Sequence, residues 1–215
     1  MSRRKLEDKL REISDFVLEM AEYVKVCLDA LERLLASYSE EEVEVIMEYE
    51  EKSDLLNLKV DEKCLSTLAL QQPVASDLRF IASMLKISAN YERICDIARK
   101  ITFLLKGGVL EEVKDELLKI VEVLKEMLRV NVDGLKGVKV DELITELKKL
   151  DDVIDKLNRG VRARVPEVVK ANCEKVEEGL KAVIVSLYLE RIGDILAKSG
   201  SRIVFAKKGV WVWIK

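Results

Sequence analysis

Residues 6–34 have the sequence LEDKLREISDFVLEMAEYVKVCLDALERL, in which apolar side chains recur at alternating steps of four and three residues. This spacing places one apolar stripe along a helix and is typical of helices that pack in a bundle. The stripe is unbroken, so it predicts one long helix. Its residues are Leu6, Leu10, Ile13, Val17, Met20, Val24, Cys27, Leu31 and Leu34.

Two further helices are predicted before the middle of the chain. Ser39 and Glu42 have the spacing of a capping box, which predicts that a second helix begins there. Pro73 suits the first turn of a third helix and pushes Gln72 out of helical geometry. The glycine pair at 107–108 ends the third helix.

The second half of the chain repeats this plan. Apolar periodicity predicts a fourth helix over about 110–127 and a fifth over about 143–161, and Pro166 is expected to open a sixth helix that reaches Ala206. We therefore predict an all-α fold of two tandem three-helix bundles related by an internal repeat. The predicted units are 1–107 and 108–208, followed by a C-terminal tail at 209–215.

The internal repeat is visible at fixed offsets. With an offset of 98 residues, Glu92-Arg-Ile-Cys-Asp96 becomes Glu190-Arg-Ile-Gly-Asp194. With an offset of 101 residues, an upstream polar triplet also repeats, and two segments in the same order are hard to ascribe to chance. The triplet Glu50, Asp54 and Asn57 becomes Asp151, Asp155 and Asn158.

Each half of the chain thus carries two pairs of acids spaced four residues apart, which places both members on one helix face. With 40 acidic residues among 215, random placement gives roughly 7 such pairs, so spacing alone is weak support. Position is more informative, since Glu92 and Asp96 continue an apolar stripe that begins at Leu78. We therefore expect these acids on the buried face of their helix, where a carboxylate loses hydration.

Antiparallel packing of helices two and three, and of helices five and six, would bring four carboxylates together in each half. Such a group requires either strongly raised pKa values or a bound cation. Oxygen ligands suit Mg²⁺, Mn²⁺, Ca²⁺ or ferric iron, and four carboxylates suit more than one ion. The alternative is that Arg93, Arg191 or nearby lysines neutralise the acids. Residue chemistry alone leaves both possibilities open.

Composition excludes several classes of site. The chain has no histidine, so Ser-His-Asp catalysis, HExxH zinc sites and Glu-x-x-His di-iron sites are absent. With a net charge of −3, the chain lacks the excess of basic residues that is typical of nucleic-acid-binding proteins. The four cysteines form no CxxC pair and are expected to be reduced in a cytosolic protein. We expect neither a signal peptide nor a membrane span.

The stretch from Gln72 to Asp96, QPVASDLRFIASMLKISANYERICD, together with its second copy around Glu190, resembles the PhoU family of phosphate-uptake regulators. The resemblance covers about residues 5–207. It implies two three-helix repeats, each with a multinuclear metal cluster of iron or, in other members, different metals such as manganese, zinc or magnesium. The implied ligands are Glu50, Asp54, Glu92, Asp96, Asp151, Asp155, Glu190 and Asp194.

The resemblance also implies a location and partners. Such proteins are cytoplasmic, often homodimeric, and reach the membrane only through their partners. Those partners are the ATPase of the phosphate ABC transporter and the sensor histidine kinase of the phosphate response. The family restrains uptake and signalling when phosphate is ample, so no enzymatic activity is expected.

Some positions depart from the family pattern. Asn57 and Asn158 lie at positions where glutamate is more common in the family, so each site has one anionic ligand fewer. Each asparagine could still be an additional metal ligand or support a ligand through its amide. Asp61, a further candidate, has Arg162 at its equivalent position, so the two sites need not be equivalent. Cys95 replaces the glycine kept at 193, and we expect it to serve packing or to tune the site.

Two further features are candidates for contacts. Arg79 and Lys86 lie seven residues apart on one helix face and could contact a partner or a phosphate group, or form a solvated basic edge. The strand-like tail after Gly209 holds both tryptophans, Trp211 and Trp213, and could pack on the bundle, join a dimer contact or meet a membrane surface.

Three functions therefore compete at this point. The first is a metal-binding regulatory adaptor of phosphate transport. The second is a carboxylate-bridged multinuclear metal enzyme, hydrolytic or redox. The third is a metal-free helical interaction protein whose acids are all ion-paired.

Overall fold

A computed structural model of the chain describes residues 3–212, which form six α-helices and contain no β-strand. The helices are α1 (Arg3–Ala36), α2 (Glu40–Gln71), α3 (Ala75–Leu105), α4 (Lys114–Leu135), α5 (Leu143–Ala171) and α6 (Val176–Lys208). Short 3₁₀ turns at Glu111–Val113 and Cys173–Lys175 precede α4 and α6. The all-α prediction is confirmed.

The helices form two three-helix bundles that share one hydrophobic core. Helices α1, α2 and α3 pack on one another, and so do α4, α5 and α6. Across the boundary between the repeats, α1 contacts α4 and α3 contacts α6. The predicted boundary at 107–108 falls in the connection between α3 and α4. Whether 1–107 and 108–208 are separate folding units stays a prediction.

The apolar stripe of α1 lies at the centre of the first bundle. Ile13, Val17, Met20, Val24 and Cys27 are fully buried. Because α1 contacts α2, α3 and α4, a wide face of the helix is buried. The alternating apolar spacing in the sequence corresponds to this buried face.

The second helix begins where predicted, with Ser39 as its N-cap residue, but the predicted capping box does not form. Ser39 precedes α2 with an extended backbone, but its side chain makes no capping hydrogen bond. The carboxylate of Glu42 is instead held by the Arg33 guanidinium, with Nε 2.5 Å and Nη2 2.8 Å from its two oxygens. This charged bidentate pair ties α1 to α2 and replaces the local cap.

The two prolines do not play the matching roles that were predicted. Gln72 leaves helical geometry as expected, with a left-handed φ of 46°, but Pro73 lies before α3 rather than in its first turn, because α3 begins at Ala75. Pro166 lies inside α5, and the break before α6 falls at Asn172–Lys175. The end of α5 is exposed there, so water can satisfy the carbonyl that the proline leaves unpaired.

Gly209 ends α6 with a left-handed φ of 73°, as the sequence predicts. The described part of the tail, 210–212, forms no strand. The Trp211 ring stacks on Phe205, with centroids 4.0 Å apart, so this residue packs on the bundle. Trp213 lies outside the described residues. Over residues 3–212, no helix is long and apolar enough to cross a membrane.

Candidate metal site

The first-repeat groove lies between α2 and α3 and gathers the four predicted carboxylates. Burial raises the pKa of Glu50, with further increases from Asp54 and Asp96 that Arg99 opposes. Burial also raises the pKa of Glu92, and the charges of Asp54, Asp96 and Glu50 raise it further. Mutual repulsion of this kind requires the four groups to be close neighbours.

Two cations from α3 enter the same groove. Arg99 Nε lies 2.8 Å from Glu50 Oε1, and Arg99 Nη2 lies 3.2 Å from Asp96 Oδ1. Lys100 Nζ lies 2.6 Å from Asp96 Oδ2. Burial opposes ionisation of Asp96, but the hydrogen bonds and charges of Lys100 and Arg99 outweigh it and lower the pKa of this carboxyl. Arg99 thus links α2 to α3 through Glu50 and Asp96.

The sequence interpretation named Arg93 or nearby lysines as the neutralising residues of this repeat. Lys100 is such a lysine, but Arg99 was missed. Arg93 is exposed and only modestly lowers the pKa of Glu92. The available signal was spacing, because Arg99 and Lys100 follow Asp96 by three and four residues and therefore share its helix face.

Asn57 follows Asp54 by three residues and therefore shares its face of α2. Its Oδ1 is buried and receives no hydrogen bond from any residue within 3–212. An unpaired buried carbonyl oxygen costs about 1–3 kcal/mol, so this atom favours a water molecule or a cation as its partner. Asp61 lies further along α2, where burial, followed by the charge of Asp61, raises the pKa of the Cys64 thiol. Its part in a metal site stays a prediction.

The predicted burial of these acids is wrong in degree. Leu78 is 45% exposed, Ala82 and Ala89 are exposed, and Glu92 and Asp96 are only half-buried. The core face of α3 is a different row of residues. That row comprises Ile81, Met84, Ile87, Tyr91 and Ile94. The carboxylates therefore line an open groove at the edge of the core, where an ion could enter from solvent.

The donor set of the groove fits a hard cation, although the side chains are not arranged around one. Four carboxylates and the unpaired Asn57 carbonyl are the oxygen ligands that Mg²⁺, Mn²⁺ and iron accept. Among the described residues, no three Cys, Asp or Glu side chains converge as ligands of one ion, because Arg99 and Lys100 hold two of the carboxylates. Binding would require these acids to exchange their ion pairs for the metal.

The equivalent groove of the second repeat, between α5 and α6, is organised by amide and hydroxyl groups. Asn158 is fully buried, its Nδ2 donates to the Glu190 carboxylate, and its Oδ1 accepts a hydrogen bond of 2.9 Å from Ser186 Oγ. Asp151 is 5% exposed, whereas Asp155 and Asp194 are half-buried. The 98-residue offset places Ala197 opposite Arg99, so the second groove lacks the arginine of the first. The two sites are therefore not equivalent.

Cys95 faces the core rather than the groove. It is fully buried, and interaction with Cys27 of α1, followed by burial, holds the pKa of its thiol well above the usual value. It also contacts Ser53 of α2. These contacts favour the packing role for this residue.

Arg79 and Lys86 lie in different surroundings. The Arg79 guanidinium packs against the backbone of Gly209, where an added Cβ would lie 3.1 Å from Arg79 Cζ. Lys86 is exposed. Arg79 therefore supports the tail, and a partner contact for either residue stays a prediction.

The raised pKa of Glu92 predicts a pH-dependent substitution effect in metal-free protein. The ionised carboxylate destabilises the folded state at neutral pH, and this penalty is lost as pH falls through the raised pKa towards the unfolded value. We expect Glu92→Gln to raise the melting temperature at pH 7 by up to about 2 °C, since partial solvation limits the gain. The gain should vanish at about pH 4.

The measurement is thermal unfolding across this pH range with a chelator present. The matched control is Glu62→Gln, which removes an exposed carboxylate from the neighbouring helix α2. An equal gain in both variants, or no gain for Glu92→Gln at pH 7, would refute the role of repulsion in the groove.

These features define a class: an all-α protein of two three-helix repeats, each with acids lining the groove between its second and third helices. Residues 17–103 match the family described as "PhoU domain". The chain is 31% identical over 211 residues to "Phosphate-specific transport system accessory protein PhoU homolog" from Archaeoglobus fulgidus, covering 98% of this chain and 99% of the relative. It is 30% identical to the Borreliella burgdorferi protein of the same description, covering 97% of each chain.

The crystal structure of PhoU from Pseudomonas aeruginosa matches with a TM-score of 0.88 at 21% identity, covering 95% of this chain and 99% of that one. This match shows that the fold is shared. The chain belongs to the PhoU family, and the resemblance stated from its sequence is confirmed.

Proposed function

We propose that this chain is a cytoplasmic regulatory adaptor of a phosphate transport system that binds metal in its carboxylate grooves. The observation that carries the role is the match over 98% of the chain to a relative described as a phosphate-specific transport system accessory protein. An accessory protein acts through partners, so the proposed role is not enzymatic. The proposed partners are the transporter ATPase and the phosphate-sensing kinase, with the chain acting as a homodimer that restrains both when phosphate is ample.

The first-repeat groove is the better supported metal site. Glu50, Asp54, Glu92 and Asp96 would hold the ion, with Asn57 Oδ1 as a further ligand. In the second repeat, Asp151, Asp155, Glu190 and Asp194 would serve, with Asn158 orienting Glu190 through its hydrogen bond. Iron is the proposed metal, and manganese, zinc or magnesium are alternatives. A bound ion would neutralise the clustered negative charge.

Metal binding would give the groove a second arrangement in addition to the one in the structure. In the first, Arg99 bridges Glu50 on α2 and Asp96 on α3 and partly offsets the repulsion among the acids. In the second, the same carboxylates face a metal and Arg99 is released. The exchange would couple metal loading to the position of α2 relative to α3, which gives the adaptor a means of changing its outer surface.

The metal-free interaction protein remains the second candidate, because Arg99 and Lys100 already pair with acids of the groove. It shares the adaptor role but needs no ion. Elemental analysis of the purified protein separates the two.

The role itself is tested by co-purification with the cognate transporter ATPase and sensor kinase. We expect the wild-type chain to retain at least one of them, with more retained when phosphate is ample. Glu62→Gln is expected to behave as wild type. Absence of both partners, with and without metal and phosphate, would refute the adaptor role.

A further inference from the structure

One end of the molecule brings together three separate chain segments. They are the α2–α3 connection at 72–74, the α4–α5 connection at 136–142 and the tail at 209–212. The contacts join them directly: Lys208 pairs with Asp141, and the Arg79 guanidinium lies against Gly209. The start of α1 is at the same end, since Leu10 lines a surface cavity together with Phe80 and Ala206.

Each of the three segments exposes an apolar side chain at this end, which we call the tail end. Val74 is 73% exposed, Val138 is 50% exposed, and Val210 and Trp211 are 55% and 54% exposed. These residues are single projections on separate connections.

Cations surround the aromatic ring of the tail. The Arg202 guanidinium lies 4.6 Å from the centroid of the Trp211 ring, and the Arg79 guanidinium adjoins Gly209. Lys207 lines the nearby surface cavity together with Arg11, Asp15 and Asp77. Lys208 is neutralised by Asp141. The positive charge next to the tail therefore comes from Arg79 and Arg202, while Asp15 and Asp77 lie further away around the cavity.

We propose that the tail end docks directly on an anionic phospholipid surface. Tryptophan with an adjacent cation is the combination that suits the boundary between lipid headgroups and acyl chains. Shallow apolar projections supply insertion, and nearby basic residues supply attraction to acidic headgroups. No described helix could span the bilayer, so the contact is peripheral. This contact is additional to attachment through partners and does not depend on the phosphate role.

The chain carries its own reporter for this contact, because both of its tryptophans, Trp211 and Trp213, lie in the tail. A Trp213→Phe background makes Trp211 the sole indole. We expect its emission to shift to shorter wavelength on addition of phosphatidylcholine vesicles that contain about a third phosphatidylglycerol. Pure phosphatidylcholine vesicles should give little shift, and about 0.5 M salt should reverse it.

Two variants separate the tail end from non-specific adsorption in vesicle co-sedimentation. Arg202→Gln/Lys207→Gln is expected to lower partitioning onto the acidic vesicles about tenfold, since each basic residue near an anionic surface contributes. Phe103→Ser is the matched control. It removes a 62%-exposed aromatic ring about 40 Å away along α3 and is expected to bind as wild type.

Three results would overturn the proposal. One is an unchanged emission spectrum with acidic vesicles. Another is equal binding to acidic and neutral vesicles. The third is an emission shift that grows with protein concentration in the absence of lipid while sedimentation shows dimers, which would assign the tail end to a second copy of the chain.

Discussion

Purified wild-type protein is expected to retain two or more metal ions per chain, and Glu92→Ala/Asp96→Ala is expected to lose the ions of the first repeat. Two of the four carboxylates are removed by this change. Loss of even a residue that supports a ligand costs about 10–100-fold in metal affinity, so loss of two ligands should empty the site at ordinary metal concentrations. Elemental mass spectrometry of the purified variants measures the content directly.

The second-repeat variant Glu190→Ala/Asp194→Ala provides the matched comparison. Its loss should be confined to the second repeat, so that the two double variants together account for the whole metal content. Thermal unfolding adds an independent readout, because an ion at about 100 times its dissociation constant stabilises the folded protein by about 2.7 kcal/mol. Chelation should remove that stabilisation from wild type and only part of it from either double variant.

Substitution of Arg99 provides a further test of metal binding in the first-repeat groove. The Arg99 guanidinium competes with a cation for Glu50 and Asp96. Arg99→Gln should therefore strengthen metal binding in the first repeat and lower the stability of the metal-free protein. Arg93→Gln removes an exposed arginine from the same helix and should change neither. Absence of metal in wild type, even after reconstitution with iron, manganese and zinc, would reduce the acids to ion pairs. It would leave the metal-free adaptor as the function.

The fold was predictable because several local signals agree. The stripe of α1 indicates contact with three other helices. The internal repeat relates the acid pair of α3 to that of α6, and the acid pair of α2 to that of α5. The prediction from Pro166 was wrong because a proline near an exposed helix end can be accommodated within the helix. The helix ends instead at Asn172, where the backbone becomes extended.

The side-chain arrangement of the grooves was less predictable. Helix α3 carries apolar residues on two faces, so counting steps of four and three from Leu78 selected an exposed row. The difference between Asn57 and Asn158 depends on one hydroxyl. Ser186 Oγ lies 2.9 Å from Asn158 Oδ1 and also 2.9 Å from the Val183 carbonyl oxygen. Its counterpart Ser88 bonds to the equivalent carbonyl of Leu85, and within residues 3–212 Asn57 Oδ1 receives no hydrogen bond. The hydrogen-bond partners depend on the distance between the helices and on the side-chain rotamers. The positions of the residues along the sequence do not specify either.

Gly193→Cys is expected to destabilise the protein by about 1–3 kcal/mol, although the equivalent position of the first repeat is already cysteine. A Cβ at position 193 would lie 2.9 Å from Ile154 Cδ1. In the first repeat the residue that corresponds to Ile154 is the smaller Ser53, which leaves room for Cys95. The repeats therefore fill the same space with opposite pairs, a small residue on α2 with cysteine on α3, and a large residue on α5 with glycine on α6.

Helix propensity works against this expectation but is too small to reverse it. Replacing a glycine inside a helix gains at most about 1 kcal/mol, and cysteine is one of the weaker helix formers, so the gain is smaller than the cost of overpacking. The melting temperature should therefore fall by about 2–4 °C for each kcal/mol of lost stability. Because Gly193 adjoins Asp194 and Ile154 lies between Asp151 and Asp155, the metal content of the second repeat should also fall.

The decisive control is the double variant Ile154→Ser/Gly193→Cys, which installs the first-repeat pair in the second repeat. Ile154→Ser alone leaves a cavity and should cost about 2–4 kcal/mol. If the two positions compensate, the double variant is more stable than the sum of the single effects predicts, by about 0.5–3 kcal/mol. Strict additivity in urea unfolding would show that the contact between α5 and α6 does not determine the identity of residue 193. The exchange of Cys95 for Gly193 between the repeats would then need an explanation in the chemistry of the acids beside it.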